Sequence, residues 1–141
     1  MHDAAVQQRL DLLTLGVRDL QASRRFYVEG LGWEPTLDLP EIVFIQVNHG
    51  LLLGLFPAKE LEADVGERPE VSDAAARFTL AHNVGSQSEV DEALERVEAS
   101  GGSIVKPAQP AAFGGYHAYV ADPDGFRWEI ASNPGWKVSP D

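Results

Sequence analysis

The 141 residues suffice for one compact domain, or for two small halves that share a core, and 44% hydrophobic with 23% charged residues is typical of globular chains. The net charge of −11, from 11 Lys and Arg against 22 Asp and Glu, argues against nucleic acid and anionic membranes as partners. Because the chain has no cysteine, disulfides, thiolate metal sites and a cysteine nucleophile are excluded.

The first half of the chain predicts a strand, a helix and three further strands. Residues 10–17 are mostly apolar, as in a strand, and Asp19 can cap a helix over residues 20–29. Gly30 or Gly32 ends that helix. Short apolar runs separated by turn residues then predict strands at 33–38, 42–47 and 51–56. These runs are far shorter than the roughly 20 residues of a membrane span, and no secretory signal precedes them, so we expect a cytoplasmic protein.

An acidic segment with two prolines, residues 57–77, follows and is typical of a solvated linker. The pattern then restarts with a strand at 78–84 and a helix, whose capping box we place at 88–91. Strands are predicted at 103–106, 116–121 and 126–131, with a loop at 107–115. The order strand, helix and three strands therefore occurs twice.

Each half alone is too small for a good core, so the two halves are expected to pack together. We predict one α+β domain over residues 1–141. Its first module covers about 10–56, its linker 57–77 and its second module about 78–131.

Polar side chains share one face of the predicted second module. Because side chains alternate along a strand, one face is bulky and apolar, which suits a covering helix. The turn signal at 122–125 makes the two strands that flank it neighbours. The opposite face therefore forms a polar-lined cleft that carries Thr79, His117, Tyr119, Arg127 and Glu129.

Four segments carry a family resemblance: VRDL at 17–20, SRRFY at 23–27, LGW at 31–33 and DPDGFRWE at 122–129. With them, the chain from about residue 10 to 136 resembles the glyoxalase/bleomycin-resistance/extradiol dioxygenase superfamily, also called the vicinal oxygen chelate superfamily. The resemblance implies two βαβββ modules, each an open sheet cupped around a pocket, with a homodimer as the usual assembly.

The same resemblance implies where a catalytic metal would be held. Enzymes of the superfamily bind a divalent metal through His, Glu or Gln side chains. Carried over by position, those ligands fall on Leu12, Thr79 and Glu129, and only Glu129 has a good donor atom. We therefore expect no bound metal and no other cofactor.

The candidate residues allow more than one role. Glu129 is a general base, a remnant ligand, or a carboxylate paired with Arg127 or Tyr119. Histidine titrates near neutral pH, so His117 is either a proton shuttle or a polar contact. The candidates for catalysis are His117, Tyr119 and Glu129. The predicted ligand-binding set is Thr79, His117, Tyr119, Arg127, Glu129 and, as an apolar wall, Phe44.

Three functions stay open on these observations. The first is a protein that binds a small organic molecule in its cup without a catalytic metal, either to sequester it or to act on it. The second is a metal-dependent lyase or dioxygenase with unexpected ligands, such as Glu129 with His117. The third is a protein–protein scaffold without a small ligand. No Ser-His-Asp order, phosphate-binding glycine loop or dinucleotide signature is present.

Overall fold

Each half of the chain forms a four-stranded sheet. The computed structural model describes residues 6–8, 10–66, 78–112 and 114–132. Sheet A consists of β1 (Leu12–Val17), β2 (Pro35–Leu39), β3 (Ile42–Asn48) and β4 (Leu51–Pro57). Sheet B consists of β5 (Leu80–Asn83), β6 (Ser103–Pro110), β7 (Tyr116–Ala121) and β8 (Arg127–Ser132). The strand order is β1-β4-β3-β2 in sheet A and β5-β8-β7-β6 in sheet B.

The two sheets have the same topology. In each of them the first strand pairs in parallel with the last, and the remaining pairs are antiparallel. A helix connects the first strand of each sheet to the next strand. The predicted α+β fold of two repeated modules is therefore confirmed. Within the described residues, no helix is both long and apolar enough to cross a membrane.

The first helix changes its winding along its length. Helix α1 (Leu20–Arg24) begins at the N-cap Asp19, whose side chain accepts the backbone N–H groups of residues 21 and 22 at 3.0 and 3.2 Å. It continues as a π-helical segment, Arg25–Gly30. There the N–H of Leu31 donates to the carbonyl of Phe26, five residues earlier, at 2.9 Å. The helix predicted over 20–29 is present, but half of it has the wider π winding.

The N-cap of helix α3 (Gln87–Ala99) is Ser86, two residues before the predicted cap. The hydroxyl of Ser86 accepts the N–H of Glu89 at 3.3 Å and lies 3.1 Å from a carboxylate oxygen of the same residue. The cap predicted at 88–91 is wrong because Ser86 and Ser88 both stand three positions before an acidic residue. The pattern alone does not choose between the two.

Two connecting segments contain more structure than the sequence indicates. Strand β6 continues through Pro110 into the predicted loop, although prolines cannot donate to a ladder. Because β6 lies at the edge of sheet B, one side of the strand has no neighbour that needs those N–H groups. In the predicted linker, residues 58–65 form α2 (Ala58–Val65). Residues 67–77 of that linker and Trp136 lie outside the described residues.

Both modules contribute to one hydrophobic core. The side chains of Leu15 and Leu55 from sheet A, Val120 and Ile130 from sheet B, and Val97 from α3 belong to the same buried cluster. The four strand residues lie on the side of their sheet that faces this core. The residues that alternate with them along each strand are therefore turned away from the core.

Candidate functional site

A histidine and a carboxylate meet on neighbouring strands β7 and β8. The ladder pairs Tyr119 with Glu129, and His117 lies two residues from Tyr119 on the same face. The Nδ1 atom of His117 is 2.7 Å from Oε2 of Glu129, and their side chains retain only 12% and 21% exposure. An ionised carboxylate only accepts hydrogen bonds, so the Nδ1–H group of His117 is the donor of this contact.

The side of sheet B that is turned away from α3 is called the polar face here. It carries Thr79, His117, Tyr119, Arg127 and Glu129, as the alternation of side chains predicts. The ring centroids of His117 and Tyr119 are 5.6 Å apart. Tyr119 also lines a cavity of about 490 Å³ together with Thr79 and Arg127. This polar cavity is completed by Phe78, Val105 and Lys106.

Phe44 is not brought to the polar cavity. It lies on β3 opposite Gly54, where an added Cβ would be 3.1 Å from the Phe44 ring and 3.3 Å from Leu12. Leu37 pairs with Phe44 across the β2–β3 ladder, and Leu12 and Leu37 remain 40% and 36% exposed. Leu12, Leu37 and Phe44 therefore form an apolar face on sheet A, separate from the polar face of sheet B.

The positions that the resemblance assigns to metal ligands do not fit a catalytic divalent metal. Leu12 has no donor atom, Thr79 offers only a neutral hydroxyl, and the carboxylate of Glu129 already holds an imidazole N–H. Within the described ranges, no group of three or more His, Asp or Glu side chains is placed to hold an ion.

A buried hydrogen-bond network lies behind the β7–β8 turn. Asp122 is 4% exposed, and its Oδ2 accepts the hydroxyl of Tyr27 at 2.7 Å. The indole N–H of Trp128 donates to the same Tyr27 oxygen at 3.0 Å. Oδ1 of Asp122 accepts the N–H groups of Asp124 and Phe126, each at 2.9 Å. Burial raises the pKa of the Asp122 carboxyl and raises that of the Tyr27 phenol well above its ordinary range.

The same turn also holds the end of β1. Both the backbone N–H and the Nε of Arg18 donate to Oδ1 of Asp124, at 2.9 and 3.1 Å. The turn at 122–125 thus joins the modules and fixes the strands that carry His117 and Glu129. The sequence pattern predicts Asp122 only as a turn residue. It has no signal for Tyr27, which lies 95 positions away.

Comparison with known proteins places the fold in a family. The model of the Glyoxalase/Bleomycin resistance protein/Dioxygenase superfamily matches residues 9–130. A solved structure described as a glyoxalase-related enzyme from Fulvimarina pelagi is 44% identical, with a TM-score of 0.85 over 96% of this chain and 95% of that chain. A glyoxalase/bleomycin resistance protein/dioxygenase from Nocardioides is 25% identical, with a TM-score of 0.73 over 96% of this chain and 91% of that one. No curated protein matches the chain. Because the family model spans both modules, the chain belongs to the glyoxalase/bleomycin resistance protein/dioxygenase superfamily.

Proposed function

We propose that the protein binds a small organic molecule at the polar face of sheet B, and that it does so without a catalytic metal. The observation that carries this proposal is the His117–Glu129 pair, 2.7 Å apart and largely shielded, beside the polar cavity of about 490 Å³. A cavity of this size accommodates a small ligand. An imidazole, a carboxylate and the Tyr119 phenol beside it can fix the orientation of a polar group.

The lining of the polar cavity favours a ligand with an acidic group. Lys106 and Arg127 both line it, and no carboxylate does among the described lining residues. Phe78 and Val105 line the same cavity and are 45% and 53% exposed, so they offer an apolar surface to the rest of the ligand. A small aromatic or aliphatic acid satisfies both features.

The His117–Glu129 pair also supports proton transfer on such a ligand. The carboxylate fixes the orientation of the imidazole, and an imidazole held in this way is suited to general acid–base catalysis on a bound molecule. The relative from Fulvimarina pelagi is described as a glyoxalase-related enzyme, which supports catalysis as a second function of the same face. Sequestration needs only the binding step.

A thermal-shift screen of the metal-stripped protein tests the binding proposal. The probes are small aromatic acids, quinone-like compounds and thiol adducts, each with and without added divalent ions. A bound ligand raises the melting temperature because it stabilises only the folded state. We expect an aromatic acid to raise it without any added metal.

Calorimetric titration of the strongest probe then locates the site. Glu129→Gln is nearly isosteric, and we expect it to weaken binding by about 1–3 kcal/mol, the range for a hydrogen bond to a charged group. His117→Ala weakens binding as well. His49→Ala, in the exposed turn between β3 and β4, is the matched control and leaves binding unchanged.

Three results contradict the proposal. If both folded variants bind like the parent protein, the ligand does not use the polar face. If elemental analysis after mild dialysis finds one Zn, Fe, Mn or Ni per chain, or if binding requires a divalent ion, the metal-free part is wrong. If no probe shifts the melting temperature, the scaffold function is favoured.

A further inference from the structure

A second cavity, of about 510 Å³, lies between the two modules. From sheet A it is lined by Leu13, Ile45 and Leu53 on the core side of the sheet, and by Gln46 and Leu52, which alternate with them. From sheet B it is lined by His82 and Trp128. None of its lining residues lines the polar cavity, so the two cavities are separate. This cavity is called the inter-module cavity.

Aromatic rings form one wall of the inter-module cavity. The ring centroids of Trp33 and Trp128 are 5.8 Å apart with the rings 74° to each other, and the His82 ring is 6.4 Å from Trp33. The same three residues also line a smaller, adjoining cavity of about 170 Å³, which extends to Phe26 and Leu31. The walls therefore suit the apolar body of a ligand.

The charge of the inter-module cavity is opposite to that of the polar cavity. Glu34 and His82 are the only acidic or basic side chains among its described lining residues, so neither Lys nor Arg lines it. No cation pairs with Glu34 in the part of the chain that the structure describes. Partial burial lowers the pKa of His82, which keeps its ring neutral at pH 7. The nearest basic side chain is Arg96 in the wall of the adjoining smaller cavity, where its Nε donates to the carbonyl of Gly30 at 2.6 Å. The inter-module cavity itself therefore presents a carboxylate and aromatic rings with no Lys or Arg in its described lining.

We propose that the inter-module cavity is a second small-molecule site and that it binds an aromatic amine. The ring of the ligand lies against Trp33 and Trp128, and its ammonium group lies toward Glu34. Tryptophan faces attract cations, and the net charge of −11 favours the approach of a cation over that of an anion. This site does not depend on the proposed function of the polar face.

Two probes with the same ring and opposite charge test this site: 1-naphthylmethylamine and 1-naphthylacetate. Binding is followed by ¹⁹F NMR of protein labelled with 5-fluorotryptophan, with resonances assigned through Trp33→Phe and Trp136→Phe. We expect the amine to shift the resonances of Trp33 and Trp128, and the acid to leave them unchanged. Glu34 is exposed, so Glu34→Gln preserves the fold and weakens amine binding about three- to tenfold.

The matched control is Glu41→Gln, which removes an exposed carboxylate from the β2–β3 turn, outside the cavity lining. This variant keeps the amine affinity of the parent protein. The proposal is overturned if millimolar amine shifts neither indole resonance, or if the acid shifts both equally. It is also overturned if Glu34→Gln and Glu41→Gln change amine binding by the same factor.

Discussion

Asp122 is a buried carboxylate whose desolvation cost is partly offset by hydrogen-bond donors. One phenol and two backbone N–H groups donate to its two oxygens, and each distance is between 2.7 and 2.9 Å. An unpartnered carboxylate at 4% exposure would be strongly destabilising. The raised pKa of Asp122 shows that the donors do not fully offset burial. At this position Asp122 shapes the turn and holds Tyr27 of the other module.

Tyr27→Phe is expected to destabilise the fold by about 1–3 kcal/mol, because it leaves Asp122 Oδ2 and the Trp128 N–H buried without their shared partner. Urea unfolding at pH 7 measures the loss. Tyr116→Phe is the matched control, since it removes another Tyr–Asp hydrogen bond, to Asp91 at 2.9 Å, in an exposed place. Equal losses in the two variants would show that the buried network adds nothing special.

His82 is expected to make stability depend on pH. Partial burial lowers its pKa in the folded state, so below about pH 6.5 the unfolded chain takes up a proton more readily than the folded chain. Its contribution to stability is therefore present at neutral pH and is lost as the pH falls. Between pH 7 and 5, His82→Gln should lose less unfolding free energy than the parent. His49→Gln, on an exposed turn, should follow the parent, and identical pH slopes in all three proteins would contradict this assignment.

At the scale of the element, the β7–β8 hairpin explains why the polar face can be predicted from sequence. Strong alternation fixes which side chains share a face, and the turn at 122–125 makes the strands neighbours. The register Tyr119 to Glu129 follows from these two local signals. Sheet A gives no comparable signal. Phe44 stands among apolar neighbours, so alternation does not indicate which face of the sheet it lies on. Its expected position beside His117 had no local support.

The approach of the π-helical segment to sheet B depends on one glycine. A Cβ added at Gly102 would lie 2.6 Å from the carbonyl oxygen of Ala121 and 2.8 Å from the Phe26 ring. Backbone cannot move aside as a flexible side chain can. Gly102→Ala is therefore expected to cost about 1–3 kcal/mol by overpacking, measured by chemical denaturation.

Gly85→Ala provides the comparison for Gly102→Ala. An added Cβ at Gly85 would approach only the flexible carboxylate end of Glu89, at 3.0 Å, which can rotate away at the loss of one exposed hydrogen bond from Ser86. This variant should keep or slightly raise stability because alanine reduces the freedom of the unfolded chain. If the two glycine variants are equally stable, the close contact at Gly102 does not limit the packing of the modules.

At the scale of the whole molecule, the contacts between modules are the part that the sequence does not reveal. Tyr27 meets Asp122 and Trp128 across 95 and 101 positions, and no spacing rule links residues so far apart. The inter-module cavity is equally hidden, because Trp33 and Trp128 each look like ordinary core residues in their own module. The repeated order of elements predicts two modules, while the way they pack depends on the shapes of individual side chains.

The outer faces of the sheets lead to the expected assembly. We expect a homodimer, because the apolar face with Leu12 and Leu37 exposed is turned away from the chain's own core and gains by burial against a second copy. The net charge of −11 opposes association, but salt at about 0.15 M screens it beyond roughly 8 Å. Light scattering at micromolar concentration should give twice the chain mass of 15.3 kDa.

Leu37→Gln should shift the protein toward monomer without a change in charge. Val105→Gln, which alters an exposed apolar residue on β6 of sheet B, should not. A parent protein that is monomeric under these conditions contradicts the dimer, and a Leu37→Gln dimer as tight as the parent moves the interface to another face.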